Sequence, residues 1–196
     1  DLFHSAYIDY STYVHPVHNT KCTLEELIDW IDLNKRYRLQ DTGRIFCFDF
    51  SWRKRAIMRS FFPFDSTELL FHKSKGFNED LNKNDKFLVW GAELDLELSH
   101  QARYHGVQII RAEDGFLRSN GLGAAYVNPG SLAIDSRGIY FDPSHERDLE
   151  HILNNTQFSP RDIKTSEALI DNIVQNRLTK YDLTGHPPTN FPELKT

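Results

Sequence analysis

KFLVWGAELDLELSHQARYHGVQIIRAEDG, residues 86–115, reads as strand, helix and strand, closed by two adjacent carboxylates and a glycine. KFLVWG (86–91) and VQIIRA (107–112) are short apolar runs of the kind buried inside a sheet, and ELDLELSHQARYH (93–105) between them is helical. The same rhythm precedes them. RIFCFDF (44–50) is a strand, WRKRAIMRSFF (52–62) a helix closed by Pro63, and ELLFH (68–72) another strand. Apolar strands that alternate with helices predict a mainly parallel sheet covered on both faces. The expected class is therefore α/β, a Rossmann-like mainly parallel sheet with flanking helices over residues 43–182.

Outward from this core the pattern changes. Residues 1–22 are rich in aromatics and His without a clear period. Thr23 and Glu26 form a capping box ahead of a run at helical spacing, Leu24, Leu27, Ile28 and Ile31. Residues 1–42 read as an arm or inter-module linker with one helix. SLAIDSRGIYFD (131–142) reads as a hairpin around a polar-glycine turn, followed by helices near 144–154 and 160–180. The Pro-rich end, 183–196, reads as a linker toward a second half, and the opening without an initiator Met as the start of a fragment.

Net charge is -5, with 39% hydrophobic and 26% charged residues. This is the composition of a globular domain and weighs against a general nucleic-acid binder. One local cluster is basic, Arg53-Lys54-Arg55 with Arg59, and reads as a solvated helix face or a patch for an anionic sugar or membrane surface. Of two cysteines, Cys47 lies in an apolar strand and Cys22 just ahead of a helix; with no paired spacing, a reduced cytoplasmic protein is expected. No apolar run approaches the roughly 20 residues that span a bilayer. The nine histidines show no ligand spacing, so no metal and no cofactor is expected.

Chemistry is expected where the last parallel strand ends. Ligands of open parallel sheets gather at the strands' carboxyl ends. Glu113 and Asp114 sit there, and the mutual repulsion of neighbouring carboxylates favours one keeping its proton and acting as acid or base. A helix cap or a salt bridge to Arg111 or Arg118 would explain the same residues. Gly115 lets the chain bend, while Arg118, Ser119, Gly121 and Gly123 offer a cation, a hydroxyl and backbone N–H groups to an anionic ligand. The G-L-G spacing supports neither a dinucleotide fingerprint nor a P-loop.

EDGFLRSNGLG (113–123), followed by PGSLAIDSRGIYFDPS (129–144), resembles the signature of the capsule polysaccharide biosynthesis family of KpsC-type β-Kdo glycosyltransferases. FDFSWRKRAIMRSFFP and LVWGAE are similar to the segments that open such a module, and IDYSTYVHPVHNTKCTLEELIDWI to the segment joining two modules. The resemblance covers residues 7 to 180. It implies a cytoplasmic bacterial enzyme, with peripheral contact at the inner membrane open to it, that takes Kdo from CMP-Kdo with retention and adds β-Kdo to a Kdo-containing glycolipid acceptor. It further implies two Rossmann-like halves in a GT-B-like plan, of which this chain supplies the first, so that the chain alone is inactive. Glu113 and Asp114 match the catalytic acidic pair, and Arg118 and Ser119 could bind the Kdo carboxylate or a phosphate. Two other readings stand beside this one: a non-catalytic carbohydrate-binding or scaffolding half-domain of a capsule assembly complex, and a transferase of another nucleotide sugar.

Overall fold

The computed structural model describes residues 2–16, 19–40, 42–63, 66–119, 121 and 126–181. The chain divides into two compact units, Asp1–Gly43 with Pro63–Glu68, and Arg44–Phe62 with Leu69–Thr196. In the first, α1 (Leu2–His4) runs into a π-helical turn, Ser5–Asp9. A minimal antiparallel ladder of β1 (Tyr13–Val14) and β2 (Lys21–Cys22) then leads into α2 (Leu24–Gln40). The expected capping box is formed: Glu26 N–H donates to Thr23 Oγ1 at 3.1 Å, and Thr23 N–H to Glu26 Oε2 at 2.8 Å.

The second unit carries a five-stranded sheet of β3 (Gly43–Phe48), β4 (Thr67–His72), β5 (Lys86–Trp90), β6 (Gln108–Asp114) and β7 (Leu132–Asp135), in the order β4-β3-β5-β6-β7. β3 and β5 pair in parallel, as do β5 and β6, and β7 runs antiparallel to β6. The apolar strands are buried on both faces. Phe46, Phe48, Phe87 and Val89 pack on one side with Leu98 and Ala102, while Ile45, Cys47, Leu88 and Ile110 pack on the other with Met58 and Phe62. Each fully buried Phe or Leu contributes about 1.5–3 kcal/mol.

Two helices supply those covers. α3 (Trp52–Phe61) starts at Ser51, whose Oγ accepts the Lys54 N–H, and brings Met58 to one face. α4 (Leu96–His105) starts at Asp95, which accepts the Glu97 N–H at 2.8 Å, and ends at Gly106 with φ of 68°, a left-handed conformation that glycine adopts without strain. Below the sheet, the buried Asp85 receives both Nε and Nη2 of Arg44, locking the amino ends of β3 and β5. The chain visits β4 on one side of β3 and returns to β5 on the other. The carboxyl ends of β3 and β5 therefore flank a topological switch point, where such sheets open a crevice.

The expected hairpin over 131–142 is half formed. β7 exists, but its partner is β6, and residues 136–142 form turns instead of a second arm. The buried Asp135 is the cause. Its carboxylate accepts the N–H groups of Arg137, Gly138 and Asp148, at 2.8, 2.8 and 3.1 Å, and so curls the chain away from the ladder. Two helices follow, α5 (Asp148–Asn155) and α6 (Pro160–Gln175). The Pro-rich segment 183–196 lies outside the described residues.

Candidate functional site at the carboxyl edge of the sheet

Glu113 and Asp114 are the last two residues of β6, not the first of a loop. Pairing with β7 extends the strand through them, Glu113 opposite Ala133 and Asp114 opposite Leu132. Side chains alternate along a strand, so the neighbours reach different partners. Glu113 Oε1 accepts the indole N–H of Trp90, at the end of β5, at 3.1 Å and the Asp114 backbone N–H at 3.0 Å. Asp114 Oδ2 receives Nε of Arg118 at 2.6 Å. Each carboxylate is thus anchored through one oxygen, and the other oxygen has no hydrogen-bond donor among the described residues.

Gly115 is required by close approach. A Cβ there would lie 2.1 Å from Ser131 Oγ and 3.0 Å from the Ser131 carbonyl carbon, because Gly115 N–H donates to Ser131 O across the turn. Gly121 has φ of 111° and accepts the Ser119 hydroxyl on its carbonyl. Gly123, also expected in the cradle, lies outside the described residues.

Arg118 and Ser119 are engaged within the fold. Arg118 is only 4% exposed. Beyond Asp114, its Nη1 donates to Ser119 Oγ at 2.6 Å and to Val127 O at 3.0 Å. Its backbone N–H donates to Lys180 O, and its carbonyl accepts from Gly130. This is a clamp that fixes the turn and orients Asp114. Its buried guanidinium faces the protein, which argues against direct reading of a ligand anion.

The sequence left four further residues of this edge unremarked or misplaced. Trp90 sits beside Glu113. Lys54, in the first turn of α3, stacks its ammonium 4.3 Å from the Trp90 ring centre. Burial pulls its pKa below the usual lysine value, with Glu113 and Asp114 pulling it back up. Lys180 donates to the Tyr140 hydroxyl at 2.8 Å, which in turn donates to Asp114 O at 3.3 Å. That hydrogen bond to Tyr140 raises the Lys180 pKa above its usual value, and the Asp114 charge adds a smaller effect. Position alone could have flagged Lys54, because it opens the helix that follows a parallel strand. Nothing local points to Lys180. The basic cluster is also not a uniformly solvated face: Arg53 lies over Tyr126 and donates to Val127 O, and Arg55 and Arg59 lie over Phe71.

Beside the acidic pair opens a mostly apolar cavity of about 530 Å³, lined among others by Phe116, Leu117, Leu132, Tyr140, Leu149 and Ile152. Among the described residues, no three His, Cys, Asp or Glu side chains converge in a way that could hold a metal ion, and no helix is long and apolar enough to cross a membrane.

The carboxyl edge of this α/β sheet thus combines two carboxylates, a cation and an apolar cavity, at the edge where open α/β sheets gather their ligands. The chain belongs to the capsule polysaccharide biosynthesis protein family, which it matches over residues 85–184. It is 34% identical over 184 residues to the capsule polysaccharide modification protein LipA of Neisseria meningitidis, a match covering 93% of this chain and 26% of that protein. It is 46% identical over 68 residues to the lipopolysaccharide-processing protein LpsZ of Rhizobium meliloti, covering 35% of this chain and 16% of that protein. The chain thus spans about a quarter of the length of the LipA proteins that it matches. Among solved structures it is similar to Thermosulfurimonas dismutans KpsC, a beta Kdo 2,4 transferase, with a TM-score of 0.55 and 24% identity over 76% of this chain and 46% of that one. That likeness shows the fold.

Proposed function

We propose that this chain is part of a retaining glycosyltransferase that moves β-Kdo from CMP-Kdo to a lipid-linked, Kdo-containing acceptor in capsule polysaccharide biosynthesis. The observation that carries the reading is the acidic pair. Two carboxylates, each anchored through one oxygen and with no donor at the other among the described residues, stand at the sheet edge where open α/β folds bind ligands. Family membership and the fold of a Kdo transferase support the same class.

Retention asks for such a pair. A carboxylate oxygen attacks the anomeric carbon, the bond to the CMP phosphate breaks and CMP leaves with that electron pair. The acceptor hydroxyl then attacks the same carbon, displacing the carboxylate, and its proton passes to the second carboxylate. Two inversions give net retention. Glu113 and Asp114 supply these groups between them. Gly115 and Ser131 hold the turn, and the Arg118 clamp, with Ser119 and Gly121, keeps Asp114 in position. The apolar cavity beside the pair suits the less polar part of a glycolipid. A second half of the same polypeptide holds the rest of the donor. The enzyme works in the cytoplasm, peripheral to the inner membrane, without nucleic acid, metal or cofactor.

The test is a product analysis. The full-length protein, given CMP-Kdo and a Kdo-primed glycolipid, extends the acceptor by β-linked Kdo, seen by mass spectrometry and by the anomeric signals in NMR. The 196-residue chain alone does not. Transfer of a hexose overturns the donor assignment, and acceptor binding without any transfer favours a carbohydrate-binding or scaffolding module.

A further inference from the structure

An acidic sugar approaching Glu113 and Asp114 meets two like charges, so a site built for it needs a cation facing the ligand. Arg118 is not that cation: it is 4% exposed and its guanidinium is bonded to Asp114, Ser119 and Val127. Lys180 is held by the Tyr140 hydroxyl. Lys54 differs from both. Its ammonium lies on the Trp90 ring and has no hydrogen-bond acceptor among the described residues. The same indole donates its N–H to Glu113 Oε1, so one aromatic ring holds an ammonium on its face and a carboxylate at its edge.

We infer that Lys54 is the specificity residue that receives the carboxylate of an acidic sugar bound against Glu113 and Asp114. The inference rests on the reading of that pair as a sugar site and names what makes the site accept an anion. Two placements support it. Lys54 sits in the first turn of α3, directly after β3, so it stands at the switch point between β3 and β5. A half-buried ammonium on an aromatic face, short of acceptors, is costly to the fold and suited to a ligand's carboxylate. Neutral sugars would fit the carboxylate edge without needing this cation. An acidic one would not.

Binding isotherms on the full-length protein test this with three probes: sodium Kdo, the neutral C1 amide of Kdo, and CMP. Lys54→Gln weakens Kdo binding at least tenfold and leaves the amide unchanged, while Lys54→Arg restores Kdo binding to within about threefold. Kdo binding that ignores the charge at position 54, or that is undetectable in the parent protein, overturns the inference. So does a Lys54→Gln loss confined to CMP, since the cation would then read the nucleotide phosphate. The two readings fail separately. Charge-dependent Kdo binding without Kdo transfer sinks the transferase and keeps Lys54 in its role, whereas Kdo transfer with charge-blind binding sinks this inference alone.

Discussion

Asp114→Asn carries two consequences, and the clamp sets the size of the first. The substitution preserves shape but removes the charge opposite Arg118, which is 4% exposed and 2.6 Å away. The buried guanidinium keeps its bonds to Ser119 and Val127 but loses its counter-charge, and breaking a buried pair from one side costs about 3–5 kcal/mol. Asp114 retains 20% side-chain exposure, so water can replace part of what is lost and the lower end, about 3 kcal/mol, is the expected value. For a chain of this length that lowers Tm by roughly 6–12 °C. Thermal and urea unfolding followed by circular dichroism read it directly. Removing both charges, in Asp114→Asn with Arg118→Met, should cost less than the sum of the single changes, with a coupling of about 2 kcal/mol. An Asp114→Asn protein that melts with the parent, or a double variant that is strictly additive, refutes the clamp.

Other expectations follow from the same geometry. Burial pushes the Cys47 thiol up to about 12, so a thiol reagent should modify Cys22 alone in the native protein and both cysteines in denaturant; native modification of Cys47 contradicts the buried strand. Gly115→Ala puts a methyl against Ser131 and should destabilise by about 1–3 kcal/mol, with partial recovery in a Ser131→Gly background. The lowered pKa of Lys54 means the folded state disfavours its charge. Folding then releases a proton between the folded value and the ordinary one, and stability rises with pH across that window. Lys54→Met should therefore melt above the parent at neutral pH, with the gap closing as pH climbs toward the ordinary lysine value. A variant that melts below the parent at pH 7 contradicts it.

The parallel strands were legible because burial on both faces writes an unbroken apolar run such as RIFCF or KFLVW, which few other settings produce. The same cue misled at GIYFD. There Ile139 is fully buried, but Asp135 takes up the neighbouring N–H groups, and apolarity reports burial without reporting pairing. Glu113 and Asp114 stood out as charges at the end of such a run, yet their place inside β6 depends on β7, which sequence spacing alone does not align. Arg118 and Ser119 beside glycines looked like an open anion cradle. Val127 O and Lys180 O, which close it, come from elsewhere in the chain. Lys54, Trp90, Tyr140 and Lys180 meet the acidic pair from four separate segments, and that convergence is a product of the fold.

The most direct test of catalysis at this edge is the turnover of Glu113→Gln and Asp114→Asn, measured side by side in the full-length protein with CMP-Kdo and a Kdo-primed glycolipid, at a temperature where both are folded. Loss of a general acid, base or nucleophile acts on the transition state, so kcat should fall at least ~10²-fold in one or both variants while KM changes little. Both variants turning over at close to the parent rate would contradict the account.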